Sequence, residues 1–200
     1  KLKKQNIDNV ILEASSHGLK QHRLDGLNFT TAIFTNLSHD HLDYHKNFKD
    51  YLNAKLYLFK KLLKKKSNII TDITIPEYKK IKKIAQKKKL CLETIGKDKG
   101  DLIIFRHGYQ EEKQIVKIKY NNKIYSFKVN LIGKIQIKNI IMAMLAAEKS
   151  NINFKKIVNI INKIKPVNGR LEKIGMLRNN AKVILDYAHT PDALKSCLQS

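Results

Sequence analysis

The sequence predicts an α/β chain, and three observations lead to that class. Short apolar runs end in polar residues, a long stretch with helical apolar spacing follows them, and the last segment repeats a strand, a turn and a helix. "NVILEASS" predicts a short buried strand at 10–12 that delivers Glu13 and Ser15 at its end. "TTAIFTNLS" repeats the arrangement with a strand at 32–35. Open α/β sheets gather their sites at such strand ends. From 48 to 64 the apolar positions follow helical spacing, with Asn47 as the cap and Lys55 in the middle. "SNIIT" is a further strand, and a lysine-studded helix runs from after Pro76 to about 88. Three β-rich runs follow at 101–109, 114–120 and 123–129, the last two joined by an Asn121-Asn122 hairpin turn.

Two helices close this first unit. One opens after Gly133 and covers 135–149; the other covers 154–164 and ends before Pro166. The division expected is a unit at 1–165 and the beginning of a second at 166–200. In the second, a buried strand at 183–185 puts Asp186 at its end, and a helix enters through Thr190-Pro191. One strand and one helix cannot make a parallel sheet, so more chain is expected beyond Ser200. The opening residues 1–6 likewise give the first strand no preceding partner, and the sequence reads as a fragment.

The formal net charge is +23, which taken alone points to a polyanion. Only four of the 40 basic residues are arginine, Arg23, Arg106, Arg170 and Arg178, and the other 36 are lysine. Readers of nucleic acid place Arg and aromatic residues together, whereas lysine in excess with Ile and Asn is the pattern of solvated faces. A lysine-rich nucleic-acid-binding module is therefore the weaker expectation. No run approaches the roughly 18 uncharged apolar residues of a membrane helix, and a cytoplasmic protein with no membrane insertion is expected. Cys91 and Cys197 have no CxxC or Cys/His spacing, so they read as ordinary thiols.

Chemistry concentrates in a few places. A carboxylate just past a buried strand, such as Glu13, is either solvated or paired. "SHDHLDYH" brings His39, Asp40, His41, Asp43 and His45 into one short segment, yet its spacing matches neither HExxH nor an EF-hand loop. Asp43 reads as a helix-entry cap and His45 as a surface histidine. Lys55 lies 14 residues after His41, but an ammonium binds no cation, and composition alone makes it one exposed helix lysine among 36.

Three blocks change that reading. "LEASSHGLKQHRLDGLNFTTAIFTNLSHDHLDYHKNFKDYLNAKLYLF", "NGRLEKI" and "ILDYAHTPDAL" occur in this order and resemble the Mur ligases of peptidoglycan synthesis, most of all the branch that adds a diamino acid. The resemblance implies a central ATPase domain with a mostly parallel sheet and the start of a Rossmann-like C-terminal domain. It implies an ATP-dependent ligase that joins meso-diaminopimelate or L-lysine to UDP-N-acetylmuramoyl-L-alanyl-D-glutamate through an acyl phosphate. A sibling ligase of the folylpolyglutamate or cyanophycin type is the alternative, which "SSHGLKQHR" disfavours.

The resemblance also assigns residues. Lys55 matches the family lysine that carbon dioxide carbamylates, so that a cation becomes an anionic ligand. With it, His41 and Glu13 match the residues that hold two Mg2+ ions beside the reacting groups. Ser15, Gln21 and Arg23 match those that bind the UDP-muramoyl-dipeptide. Asn139 matches the adenine reader, with Gln136 standing where an asparagine is usual. Arg170, Asp186 and His189 match residues that reach the nucleotide from the domain junction. The family's GxxxxGK[ST] loop is absent, since "GKDKGD" lacks its spacing, and is expected before Lys1; the diamino-acid motif is expected beyond Ser200. The fragment alone is expected to be inactive, and the enzyme to be a monomer.

Overall fold

The structure is a computed structural model that describes residues 6–38 and 44–200. Six strands form one sheet in sequence order: β1 (Phe29–Phe34), β2 (Leu63–Asp72), β3 (Cys91–Gly96), β4 (Leu102–Gln110), β5 (Lys113–Tyr120) and β6 (Lys123–Val129). The ladders from β1 to β4 are parallel and those from β4 to β6 antiparallel. Asn121 and Asn122 both take positive φ, 47° and 59°, as a tight hairpin turn matching the twist of its strands requires.

Helices cover both faces because the parallel strands are apolar on both. On one side α4 (Lys134–Glu148) and α5 (Phe154–Ile160) bury Ile137, Ile141, Met144, Leu145 and Phe154 against Ile70, Ile95, Leu102, Val116 and Ile118. On the other, α1 (Ser16–Lys20), α2 (Phe48–Tyr57) and α3 (Tyr78–Lys88) bury Leu19, Leu52, Leu56, Ile81 and Ala85 against Ala32, Phe34 and Ile69. Ile69 and Ile70 point to opposite sides of β2, which places this strand in the centre of a three-layer unit.

Most expected elements are present with adjusted ends. Asn47 caps α2 by accepting from the Asp50 N–H at 2.9 Å. The helix widens into a π-helical turn at Leu58–Leu62, and β2 starts at Leu63, so the helix expected to run to 64 stops two residues earlier. The strand expected at 10–12 is a correction: the segment belongs to no sheet, and Ile11 is 97% exposed. Its apolar residues stay about half or more exposed because no strand of the described sheet pairs with them, β1 hydrogen-bonding only to β2. Helix α1, strand β3 and a later strand, β7 (Glu172–Met176), are elements that local pattern did not predict, being short or, in β3, interrupted by polar residues.

The last segment pairs β7 (Glu172–Met176) with β8 (Lys182–Leu185) in a two-stranded antiparallel sheet, followed by α6 (Pro191–Leu198) capped by Thr190. The strand expected at 183–185 exists but is not buried: Leu185 is 47% exposed, because a two-stranded ribbon covers neither of its own faces. Gly133, the residue before α4, takes φ 86° and ψ 144°, a conformation in effect restricted to glycine. A Cβ there would lie 2.8 Å from Leu171 Cδ1 and from Ser200 Oγ, so the missing side chain is also what lets the last segment pack onto the start of α4.

Candidate active site

Helix α1 is five residues long and could not persist alone; its cap and its contacts with α2 hold it. Ser15 Oγ accepts from the Gly18 N–H at 3.1 Å. Lys20 forms an ion pair with Asp50 in the first turn of α2. Gln21 Nε2 donates to Tyr44 Oη at 3.0 Å, and the Arg23 N–H closes the turn on Gly18 O at 2.9 Å. Ser15, Gln21 and Arg23 therefore stand on one exposed turn-and-helix, tied to the segment entering α2. Glu13 is exposed, two residues before that cap.

His45, expected at the surface, is the main correction. Only 2% of it is exposed. Its ring stacks on Tyr51 at 5.0 Å, its Nε2 lies 3.0 Å from Ser16 Oγ, and its Nδ1, without a hydrogen-bond partner, faces Asp50 at 3.7 Å. Burial, then the Lys20 ammonium, lowers its pKa against the opposing pull of Asp50, which favours the neutral ring. No local signal could have placed it, since the residues that bury it come from α1 and α2.

Lys55 is half-buried on α2, with Nζ 5.2 Å from the Tyr51 ring centre. Tyr51 thus touches both His45 and Lys55, from its two neighbours along the same surface. His41 and Asp43 lie outside the described residues. Among the described residues no three His, Cys, Asp or Glu side chains converge as a metal centre. Glu13 offers carboxylate oxygens of the kind Mg2+ takes, and Lys55 would offer one only once carbamylated.

The second group forms where α4 meets the last segment. Asp72, at the end of β2 and 2% exposed, pairs with Lys138 and accepts from the Thr74 N–H and Oγ–H, each at 2.7 Å. Burial would raise its pKa, but the Lys138 and Thr74 hydrogen bonds outweigh that and lower it. Exposed Asn139 follows Lys138, and Gln136, one turn earlier, donates to Arg170 O at 3.4 Å. Asp186 accepts from the Leu171 N–H and the Ala188 N–H, both at 2.8 Å. Its carboxylate therefore fixes the turns that carry Arg170 and His189. The Arg170 guanidinium lies over the Tyr187 ring at 5.4 Å, and His189 contacts the same ring edge-on at 5.1 Å. Tyr187 is the member of this cluster that sequence reading passed over. Arg170, Asp186 and His189 are thus joined through one pair of turns, and α4, which carries Asn139, reaches Arg170 through Gln136.

Comparison with known proteins agrees with this fold. Residues 1–147 match the model of the Mur ligase middle domain. The UDP-N-acetylmuramoyl-L-alanyl-D-glutamate--2,6-diaminopimelate ligase of Rickettsia bellii is 38% identical over 198 residues, 99% of this chain and 41% of that protein. A solved structure of a UDP-N-acetylmuramoyl-L-alanyl-D-glutamate--2,6-diaminopimelate ligase superposes with a TM-score of 0.82 at 30% identity, over 98% of this chain and 40% of that one. The MurF ligase of Thermotoga maritima, solved with ADP, shares the fold at a TM-score of 0.71 and 15% identity, over 92% of this chain and 41% of that one. The chain spans about two fifths of the length of the curated relatives it matches. With its three-layer sheet, its paired α1 and α2 and the motifs they carry, this chain belongs to the Mur ligase family.

Proposed function

We propose that the protein of which this chain is part is an ATP-dependent amide ligase of cytoplasmic peptidoglycan synthesis, acting as a monomer. Its acceptor would be UDP-N-acetylmuramoyl-L-alanyl-D-glutamate and its amine donor meso-diaminopimelate or L-lysine. The observation that carries this reading is the docking of α1 on α2, which sets residues of "SSHGLKQHR" against Tyr44, His45 and Asp50, 23 to 30 positions later in the chain. "SSHGLKQHR" and "DHLDYH", the block that ends in Tyr44 and His45, both resemble the diaminopimelate-adding branch. The domain division at 166 is part of the proposal.

In the reaction, a carboxylate oxygen of the acceptor's D-glutamate attacks the γ-phosphorus of ATP and ADP leaves. The amine nitrogen then attacks the acyl carbon, inorganic phosphate leaves, and the nitrogen loses a proton. This chain's part is positioning and charge. Arg23, with Gln21 and Ser15, would hold the anionic acceptor, a guanidinium being suited to forked binding of carboxylate or phosphate. Asn139 would read adenine, while Arg170 would meet the phosphates and Asp186 and His189 the ribose side. Glu13, His41 and carbamylated Lys55 would hold Mg2+. When bound, that metal neutralises charge on the transferring phosphoryl group.

The test is phosphate release by the full-length protein supplied with ATP, magnesium, UDP-muramoyl-dipeptide and either diamino acid. Release that requires both acceptor and amine is expected. No release with either amine overturns the reading.

A further inference from the structure

We propose that His45 is a positioning residue for the acceptor site, holding helix α1, and with it Ser15, Gln21 and Arg23, through the Ser16 hydroxyl. The inference rests on the ligase reading above and assigns a role to a side chain given none there.

Three observations carry it. The imidazole is buried, yet it lies against a polar hydroxyl, Ser16 Oγ at 3.0 Å, on an element 29 positions earlier in the chain. Burying a ring with two polar nitrogens is costly unless they are used. The charges around it also select one arrangement. Asp50, from α2, faces Nδ1 at 3.7 Å, and the Lys20 ammonium from α1 bonds that same carboxylate. His17, from α1, lies 5.6 Å away ring to ring, with the Tyr44 and Tyr51 rings closing the remaining sides. A neutral ring with its proton on Nδ1 directs that N–H at the carboxylate and leaves Nε2 to accept from the Ser16 hydroxyl. Finally, Ser16 itself is 2% exposed and lies next to the capping Ser15, so the contact falls at the entry of α1. The Gln21 contact to Tyr44 sits at its other end, on the residue preceding His45. Two successive residues, Tyr44 and His45, thus hold both ends of a helix too short to keep its place unaided.

Measuring full-length enzyme with His45→Phe, His45→Gln, Ser16→Ala and the His45→Phe/Ser16→Ala double substitution tests the assignment. Phenylalanine keeps the stack on Tyr51 and removes the hydrogen bond; glutamine can restore a polar atom near the Nε2 position. KM for UDP-muramoyl-dipeptide should rise about threefold to tenfold in His45→Phe and in Ser16→Ala, the range of one hydrogen bond. The kcat and the KM for ATP should stay within about twofold, the double substitution should be no worse than the poorer single one, and His45→Gln should recover part of the loss. Equal shifts in the KM for ATP and acceptor, a fall in kcat at unchanged acceptor KM, or additive losses would overturn it. If the unsubstituted enzyme releases no phosphate, the ligase reading fails. Calorimetric binding of UDP-muramoyl-dipeptide then decides the positioning role separately, with weaker binding by Ser16→Ala expected and unchanged binding, or no binding by the unsubstituted protein, overturning it.

Discussion

At the scale of single residues, Lys55 and Asp72 show how position changes the meaning of a charge. Lys55 rests its ammonium near the Tyr51 face, an arrangement worth under about 1 kcal/mol at a partly exposed site. Lys55→Ala in the full-length enzyme should therefore barely move the melting temperature while slowing acyl-phosphate formation severely. Added short-chain carboxylates should restore part of the rate by standing where a carbamate would. Lys82→Ala, on the exposed face of α3, should change neither, and rates of phosphate release measure all three cases. Asp72 makes a prediction in pH. Its folded pKa is held below the unfolded value of 3.8, so it contributes stability above that value and loses it as pH falls through the folded one. Between about pH 5 and pH 2, unsubstituted protein should lose more of its melting temperature than Asp72→Asn, which starts lower at neutral pH. Equal slopes in thermal unfolding would show that the Lys138 pair adds nothing.

At the scale of elements, helix entry is the recurring device. Asn47 and Thr190 cap α2 and α6 with side-chain oxygens, as their places in the sequence predict. Helix α4 is entered differently, through a glycine at positive φ with no capping side chain. Gln114, fully buried on β5, donates to Leu131 O at 2.7 Å and Gly133 O at 3.3 Å, which fixes the turn leading into the helix. Gly133→Ala should cost about 1–3 kcal/mol from backbone strain alone. It would also push Leu171 and Ser200 off the start of α4, so chemical denaturation should show the loss together with a weakened affinity for ATP. A variant as stable as the parent would mean that the turn relaxes without consequence.

Across the whole molecule, the charge of +23 is the dominant number, and tertiary structure shows where it goes. Lys79, Lys80, Lys82, Lys83 and Lys87 all lie exposed on α3, whose opposite face buries Ile81 and Ala85. Lys88 turns its ammonium to Lys60 O and Leu63 O, each at 2.8 Å, where chain carbonyls at the end of the π-helical turn need donors. These are solvated or capping lysines, and none of them brings an arginine or an aromatic stack for bases. Full-length protein should accordingly leave immobilised nucleic acid by about physiological salt, where phosphate-driven binding is already weak. Retention beyond that point would favour the nucleic-acid reading.

The sequence by itself determined the class of the fold, most of its helices and strands, the Asn121-Asn122 turn and, through three motif blocks, the family. Those features depend on residues close in the chain, where apolar spacing, caps and turn residues act directly. Tertiary structure alone decided the fates of the strand expected at 10–12 and of His45. The first stayed exposed because a strand is stable only beside a partner, and no described strand pairs with it. The second became buried because α1 and α2 close over it, although nothing between Tyr44 and Asn47 distinguishes it from a surface histidine. Burial and pairing are properties of what arrives from elsewhere in the chain, and a local pattern carries no record of that.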